Sequence, residues 1–488
     1  MKNISINHKY YYWGALSIFT LIILFFISPD SYTHDLCNRV DSAIFFMSGK
    51  AWMNGMIPYV DFADSKGPLL WLIYGVAYLI SPHNYIGVFW ISYIFWSFTY
   101  WYIYKISHLF IHDNKLSFLC TIAISLSFFN PWFHYETRAE DFCQLFIAMS
   151  LFYACKILYG NYSNYKKSYL FFGICFASVL LIKYNIALMI LIFPFYTFFH
   201  KGNYKSKILY FTIGTLVIIT PFCINFIISN NIFEFINEYF LITLQTINNS
   251  DRVPYKTELI RIFIDPARTS LLFINLLGCI LFIRSNSKLY HKLFPTITFL
   301  FFFFISNIHY FKYYVTVCSI FTIWLIIFIV RTIKPQKVSC IIATTIIPFY
   351  IIFTNLYSCG YMRPNFFLSS SPNRNNYYKA DSILKTKNNP TIICIGADIG
   401  LGTPSNALPG CKYWTLQVGA TQQMLESERQ SIKNSTADFI IINRWDNNKR
   451  FNITDKELKE YGYIPLDSII IAEKEYWDKR IIFGKQNR

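Results

Sequence analysis

The feature that most constrains this chain is the recurrence of apolar runs long enough to cross a bilayer. A spanning helix needs about 20 apolar residues, fewer when flanking side chains snorkel. Such runs lie near 12–28, 84–104, 116–133, 142–158, 169–182, 186–200, 208–229, 269–283, 294–308, 313–330 and 338–355, eleven in all. Composition agrees, with 15% charged residues where a soluble protein carries about 25%, and a mean hydropathy of +0.34. A surface so poor in charge excludes a soluble enzyme, a disordered protein and a small disulfide scaffold. The expected fold class is a polytopic α-helical membrane protein with about 11 transmembrane helices.

Charge distribution orients the spans. The segments assigned to the inner side hold sixteen basic residues against one acid, Asp113, and the opposite loops before residue 356 hold ten basic and thirteen acidic residues. Lys and Arg concentrate in short cytoplasmic loops, so the N-terminus is expected inside and, after an odd number of spans, the C-terminus outside. The formal net charge of +17 follows from this bias, and no basic, aromatic soluble module points to nucleic acid. The first run lacks a small-residue cleavage site and leads into Ser28-Pro29-Asp30, which predicts an uncleaved anchor. The run 68–81 is too short to span and reads as a juxtamembrane or re-entrant helix; counting it would reverse every later loop.

Three outer segments exceed simple connectors: 29–67, 134–141 and 230–268. Ile232, Phe233, Phe235, Ile236, Tyr239 and Phe240 recur at helical spacing, which predicts a surface-lying helix; Asn248–Lys256 lacks periodicity, as either a mobile lid or a solvated loop would. After 356 the long apolar runs stop, and 18 basic and 13 acidic residues enter. Thr391–Gly396 and Ala437–Asn443 read as buried strands, Asp467–Ala472 and Arg480–Gly484 as a hairpin, and Glu426–Lys433 and Asp455–Tyr461 as helices. The expected organisation is thus a transmembrane module over 1–355 and a small extracytoplasmic α/β domain over 356–488. Most cysteines sit singly in apolar runs as small hydrophobes; Cys394 and Cys411 are the pair that could form a disulfide.

The stretch Asp41–Leu70 carries the most chemistry. Ile44, Phe45, Met47, Ala51 and Trp52 have the spacing of a helix lying on the membrane surface. Asp41 at its start is either a helix cap or a carboxylate kept ionised for catalysis. Lys66-Gly67-Pro68 opens the next helix, where a cation is electrostatically awkward; Lys66 is either a snorkelling lysine or a ligand for an anion. The pattern D-x(7)-G-x(5)-G-x-x-P-Y-x-D-x(4)-K-G-P-L-L resembles the first external loop of the GT-C membrane glycosyltransferases, in the branch of protein O-mannosyltransferases and lipid A aminoarabinose transferases. Gly67 replaces the first Pro of their Lys-Pro-Pro-Leu-like signature, and Asp41-Ser42 stands where some relatives carry Asp-Glu. Arg138-Ala139-Glu140-Asp141 is similar to their Arg-x-Glu motif, and His309-Tyr310-Phe311-Lys312 to a His-Tyr motif near the donor phosphate.

The resemblance implies an inverting transferase that moves a sugar from a polyprenyl-phosphate donor to a glycan, lipid or protein acceptor on the outer face of a bacterial inner membrane. It makes Asp41 the catalytic carboxylate and Lys66, Arg138, His309 and Lys312 the ligands of the donor phosphate. Asp61, Asp64, Glu140 and Tyr310 would support them, Glu140 as an ion-pair partner for Arg138. A polyprenyl phosphate leaves as a stable anion, so cations suffice and neither a cofactor nor a metal is expected. No GxSxG, P-loop or HExxH occurs. The alternative class is a secondary transporter or lipid-linked sugar flippase, but such proteins favour internal repeats and charges at mid-membrane, and here the charges lie at span ends.

Overall fold

The computed structural model describes residues 6–28, 30–32, 40–128, 137–160, 164–200, 202–249, 260, 266–284, 289–307, 312–332, 345, 374–396, 399–416, 420–443, 453–473 and 476–486. The chain divides into two compact units, Met1–Ile27 with Ser92–Pro221 and Val253–Phe367, and Ser28–Ile91 with Phe222–Arg252 and Leu368–Arg488.

Helix falls on each of the first ten predicted apolar runs; the eleventh, 338–355, lies outside the described residues. The first unit holds α1 (Ile6–Ile27), most of α4 (Ile86–Ile111), α5 (Asn114–Leu126), α6 (Ala139–Tyr159), α7 (Tyr165–Leu180), α8 (Tyr184–Ile190), α9 (Ile192–Phe198) and most of α10 (Tyr204–Ile228). Later in this unit come α13 (Pro266–Arg284), α14 (Leu289–Asn307), a 3-10 helix (Lys312–Thr322) and α15 (Ile323–Thr332). Among the described residues three helices are long and apolar enough to cross a membrane: Ala139–Tyr159, Tyr204–Ile228 and Leu289–Ser306. Local chemistry sets some of the boundaries: Asp113 caps the start of α5 by accepting from Leu116 N at 2.8 Å, and Lys183 stands in the connection between α7 and α8. In α10, Ile208, Leu209, Leu216 and Val217 are each more than half exposed, an apolar surface suited to lipid rather than water.

The second unit begins with α2 (Val40–Met53) and α3 (Pro68–Ile80), packed on each other. Gly49 sets their approach, because a Cβ there would collide with the backbone of Gly75. The predicted short helix at 68–81 is α3, with Pro68 at its first position, where a missing N–H costs nothing. The helix predicted from 232 onwards is α11 (Ile232–Ile236), a π-helical turn (Asn237–Ile242) and α12 (Thr243–Asn249). Of the unpatterned stretch Asn248–Lys256, read as either a lid or a solvated loop, residues 250–256 lie outside the described residues.

The C-terminal part is an α/β fold with sheet order β2-β1-β3-β5-β4. The predicted strands are β1 (Thr391–Ile395) and β3 (Phe439–Asn443), which pair in parallel. The predicted hairpin is β4 (Tyr463–Glu473) with β5 (Tyr476–Lys485), antiparallel, with an irregularity between Pro465 and Asp467. β2 (Leu408–Pro409) adds two residues at the edge. α16 (Arg374–Leu384), α17 (Gln422–Lys433) and α18 (Asp455–Glu460) cover it. Its core gathers Ile393, Ile395, Ile440, Ile442, Leu458 and Phe483. Cys394 and Cys411, the pair that could form a disulfide, are not bridged to each other; Cys394 is buried and Cys411 half-buried.

Candidate active site

In the second unit, Asp41 occupies the first turn of α2, half-buried. Lys66 stands two residues before α3, with Nζ donating to Ser65 Oγ at 3.0 Å and lying 5.6 Å from the centroid of the Phe45 ring. Phe45 is four residues after Asp41, so the two share a helix face about 6 Å apart along the axis. Asp41 and Lys66 thus stand near the starts of two helices packed on each other, with Lys66 Nζ beside a ring about one turn from Asp41.

The loop between them is rigid. Tyr59 has a φ of 65°, a left-handed conformation that strains a bulky residue by roughly 1–3 kcal/mol. It is fully buried, its ring packed at a tilt against Trp71 at 4.6 Å and Phe235 at 5.3 Å and edge-on to Phe226 at 6.0 Å. Its hydroxyl donates to the Lys66 carbonyl at 3.1 Å, so the strained turn holds the backbone that presents Lys66. Burial, with Tyr239, Asp64 and Glu238 nearby, pushes the Tyr59 phenol well up, and it stays a donor. Asp61 serves the turn itself, accepting from Ile57 N at 2.7 Å. Asp64 Oδ2 is buried without a hydrogen-bond partner among the described residues.

A buried polar junction backs this loop. Glu238, in the π-helical turn, is 5% exposed; it is paired with Lys412 Nζ at 2.6 Å and accepts from the Tyr413 hydroxyl at 3.0 and 3.1 Å. Ala63 N donates to the Lys412 carbonyl at 2.9 Å, and Asn231 Nδ2 to the Pro58 carbonyl at 2.7 Å. Sequence reasoning missed this junction, although an isolated Glu inside an apolar helical pattern was a signal.

In the first unit, Arg138 is 6% exposed at the N-cap of α6. Its backbone N–H donates to Asp141 Oδ2 at 2.7 Å, which anchors the start of the helix. Glu140 was expected to pair with Arg138; its carboxylate is instead held by Lys183, the N-cap of α8. Lys183 Nζ also lies 3.8 Å from the centroid of the Tyr314 ring. Gln144 Nε2 donates to the Thr316 carbonyl at 3.1 Å. These contacts set the first turns of α6 level with the start of the 3-10 helix, where Lys312 stands. Arg268, 3% exposed in the first turn of α13, begins another helix of this unit. Sequence reasoning singled out neither Lys183 nor Arg268; a lysine in the connection between two predicted spans was the signal for the first. His309 and Tyr310 lie outside the described residues. Among the described residues no three His, Cys, Asp or Glu side chains gather as a metal site.

Residues 65–225 match the family model described as dolichyl-phosphate-mannose-protein mannosyltransferase. No curated protein matches the chain in sequence. The apo crystal structure of ArnT from Cupriavidus metallidurans is similar with a TM-score of 0.60 and 12% identity over 97% of both chains. The ArnT structure bound to undecaprenyl phosphate gives 0.58 and 13% identity, over 97% of this chain and 98% of that one. The arabinofuranosyltransferase AftD from Mycobacteria gives 0.51 and 9% identity, over 98% of this chain and 40% of its own. The fold is that of the GT-C membrane glycosyltransferases, as the first-loop residues implied.

Proposed function

We propose that this chain is an integral-membrane, inverting glycosyltransferase that takes a sugar from a polyprenyl-phosphate donor to an envelope glycan, lipid or protein acceptor. The observation that carries the reading is the likeness to ArnT along the whole chain, including a form bound to undecaprenyl phosphate. The family match adds to it: it starts one residue before Lys66 and takes in Arg138, Glu140 and Lys183. The expected setting is a bacterial inner membrane crossed about eleven times, with the N-terminus cytoplasmic and the α/β domain over 356–488 periplasmic.

The roles follow from the chemistry. The acceptor hydroxyl attacks the anomeric carbon from the face opposite the phosphate. Asp41 takes its proton, the bond from anomeric carbon to phosphate oxygen breaks, and the polyprenyl phosphate leaves with the electron pair. Lys66 and Arg138 bind its oxygens, Arg138 with the two-pronged geometry that a guanidinium offers, and Lys312 and His309 add positive charge. Tyr310 and Asp64 support these ligands, and Asp61 and Glu140 hold the elements that present them.

The test is turnover by the purified protein in detergent, with a polyprenyl-phosphate sugar and no ion gradient. Release of free polyprenyl phosphate with a glycosylated acceptor supports the transferase. A protein that leaves the donor intact in detergent yet moves it across sealed vesicles is a flippase instead.

A further inference from the structure

Lys50 sits in the middle of α2, 1% exposed, and nothing in the roles above uses it. Its Nζ donates to the Ser405 carbonyl at 2.7 Å and the Gly402 carbonyl at 3.1 Å. Burial lowers its pKa to about 7, with Asp381 opposing the shift. An ammonium in an apolar helix face is costly unless it is fully hydrogen-bonded, and a leucine would fill the space at lower cost. What lysine adds is direction: two hydrogen bonds to fixed carbonyls set the rotation and axial position of the helix.

The carbonyls are fixed. Residues 400–405, at the end of the 3-10 helix Ile399–Gly402 and just beyond it, are buried. They are also held from the connection between α3 and α4. His83 Nδ1 bonds the Pro404 carbonyl at 2.9 Å, and the Tyr85 hydroxyl shares a hydrogen bond with Thr403 Oγ1 at 2.9 Å. The adjoining Gly49 allows no slack between α2 and α3. Asp41 lies nine residues upstream of Lys50, about 13.5 Å along one rigid helix. A small rotation at Lys50 therefore displaces Asp41.

We propose that Lys50 is a positioning residue for the transferase reaction, fixing α2 and the Asp41 it carries against the buried loop of the C-terminal α/β fold. The proposal rests on the function and the Asp41 role given above. Misplacement of a reacting group by about 1 Å can cost about 10²-fold in rate, so a loosened α2 would lower turnover without touching the donor site.

The experiment uses the full chain in detergent and compares Lys50→Met with Tyr85→Phe, which loosens the same loop from its other side. It measures affinity for undecaprenyl phosphate, amide hydrogen exchange, and turnover per donor-binding site. Lys50→Met should speed exchange over both 40–53 and 399–405, leave affinity within about twofold, and lower turnover roughly tenfold or more. Tyr85→Phe should speed exchange over 399–405 alone and keep turnover within about twofold. Lys50→Gln keeps a donor without the buried charge; should Lys50→Met fail to fold, partial protection and an intermediate rate in Lys50→Gln support the proposal, and wild-type values of both overturn it. Unchanged exchange over 40–53, unchanged turnover in Lys50→Met, or an equal loss in Tyr85→Phe also overturns the proposal. Wild-type protein that transfers no sugar overturns the function, while the exchange measurement still reports whether Lys50 holds α2.

Discussion

Replacing Lys183 by methionine would isolate what holds the start of α6 in place. The Lys183 and Glu140 side chains are only 8% and 3% exposed, so neither charge has water to fall back on. Removing the cation leaves Glu140 buried and without its ammonium, which typically costs about 3–5 kcal/mol. Glu140→Gln is milder: the amide oxygen still accepts from Lys183, and the ammonium keeps the Tyr314 ring at 3.8 Å. That loss should stay near the value of one charge-assisted hydrogen bond, about 1.5–3 kcal/mol. The double variant Lys183→Met/Glu140→Met removes both charges and should recover most of the loss, because a buried pair replaced by apolar side chains is often close to neutral. A membrane protein of this size unfolds irreversibly, so the assay is the half-life of the monodisperse protein in detergent at a fixed elevated temperature. If the pair is broken at the unfolding barrier, Lys183→Met shortens that half-life by up to about 10²–10³-fold. A half-life within about threefold of wild type, or a double variant as short-lived as Lys183→Met, would refute the reasoning.

Asp41→Asn should reduce turnover by about 10²–10⁴-fold, the usual worth of general-base assistance, with donor affinity retained; a titration of donor binding beside the rate measurement checks both. Lys66→Ala and Arg138→Ala should each weaken undecaprenyl-phosphate binding by roughly ten- to a hundredfold, read by equilibrium binding in detergent; unchanged affinity in both places the phosphate elsewhere. Glu428, 1% exposed in α17, has its pKa pushed well up by burial. A raised native pKa means stability that is present below the ordinary carboxylate range and lost as pH rises towards the raised value. Glu428→Gln should therefore match wild type near pH 4 and outlast it near pH 8, in thermal melts across that range.

Elements set by local pattern were readable from the sequence, and partners set by distant segments were not. Apolar period and flanking polar residues were enough for α3, β1, β3, the β4–β5 hairpin and the helical segment after 231. β2 was missed because two residues are too few for any period. A period of 3.6 says that a face is buried and not against what, so nothing in the pattern of α2 singled out Lys50. Its acceptors lie more than 350 residues away in the chain. Glu140 was assigned to Arg138 because Arg138 is two residues away, but residues at i and i+2 point to different sides of a helix. The cation that reaches it comes from the next connection on that face. The Cys394–Cys411 pairing failed for the opposite reason, since two cysteines in one small domain say nothing about Cβ distance.

The position of the C-terminal fold in the chain conceals its place in the site's scaffold. Two strips of it, 399–405 and 411–414, meet earlier segments of the second unit. The first takes the ammonium of Lys50 from α2, and the second takes Glu238 from the π-helical turn through Lys412 and Tyr413. The Lys412 backbone also bonds Ala63, three residues before Lys66. Without this fold, one buried cation and one buried carboxylate would lose their partners together. Leaving a single such charge uncompensated already costs about 3–5 kcal/mol, a large share of the roughly 5–15 kcal/mol by which a folded protein is typically stable. The helix with Asp41 and the loop with Lys66 therefore depend for their shape on residues encoded far later in the chain, 352 and 355 positions after Lys50. A chain synthesised from the N-terminus inserts its first loop before those residues exist, so that loop reaches its final conformation only once the α/β fold has formed around strands β1 and β3.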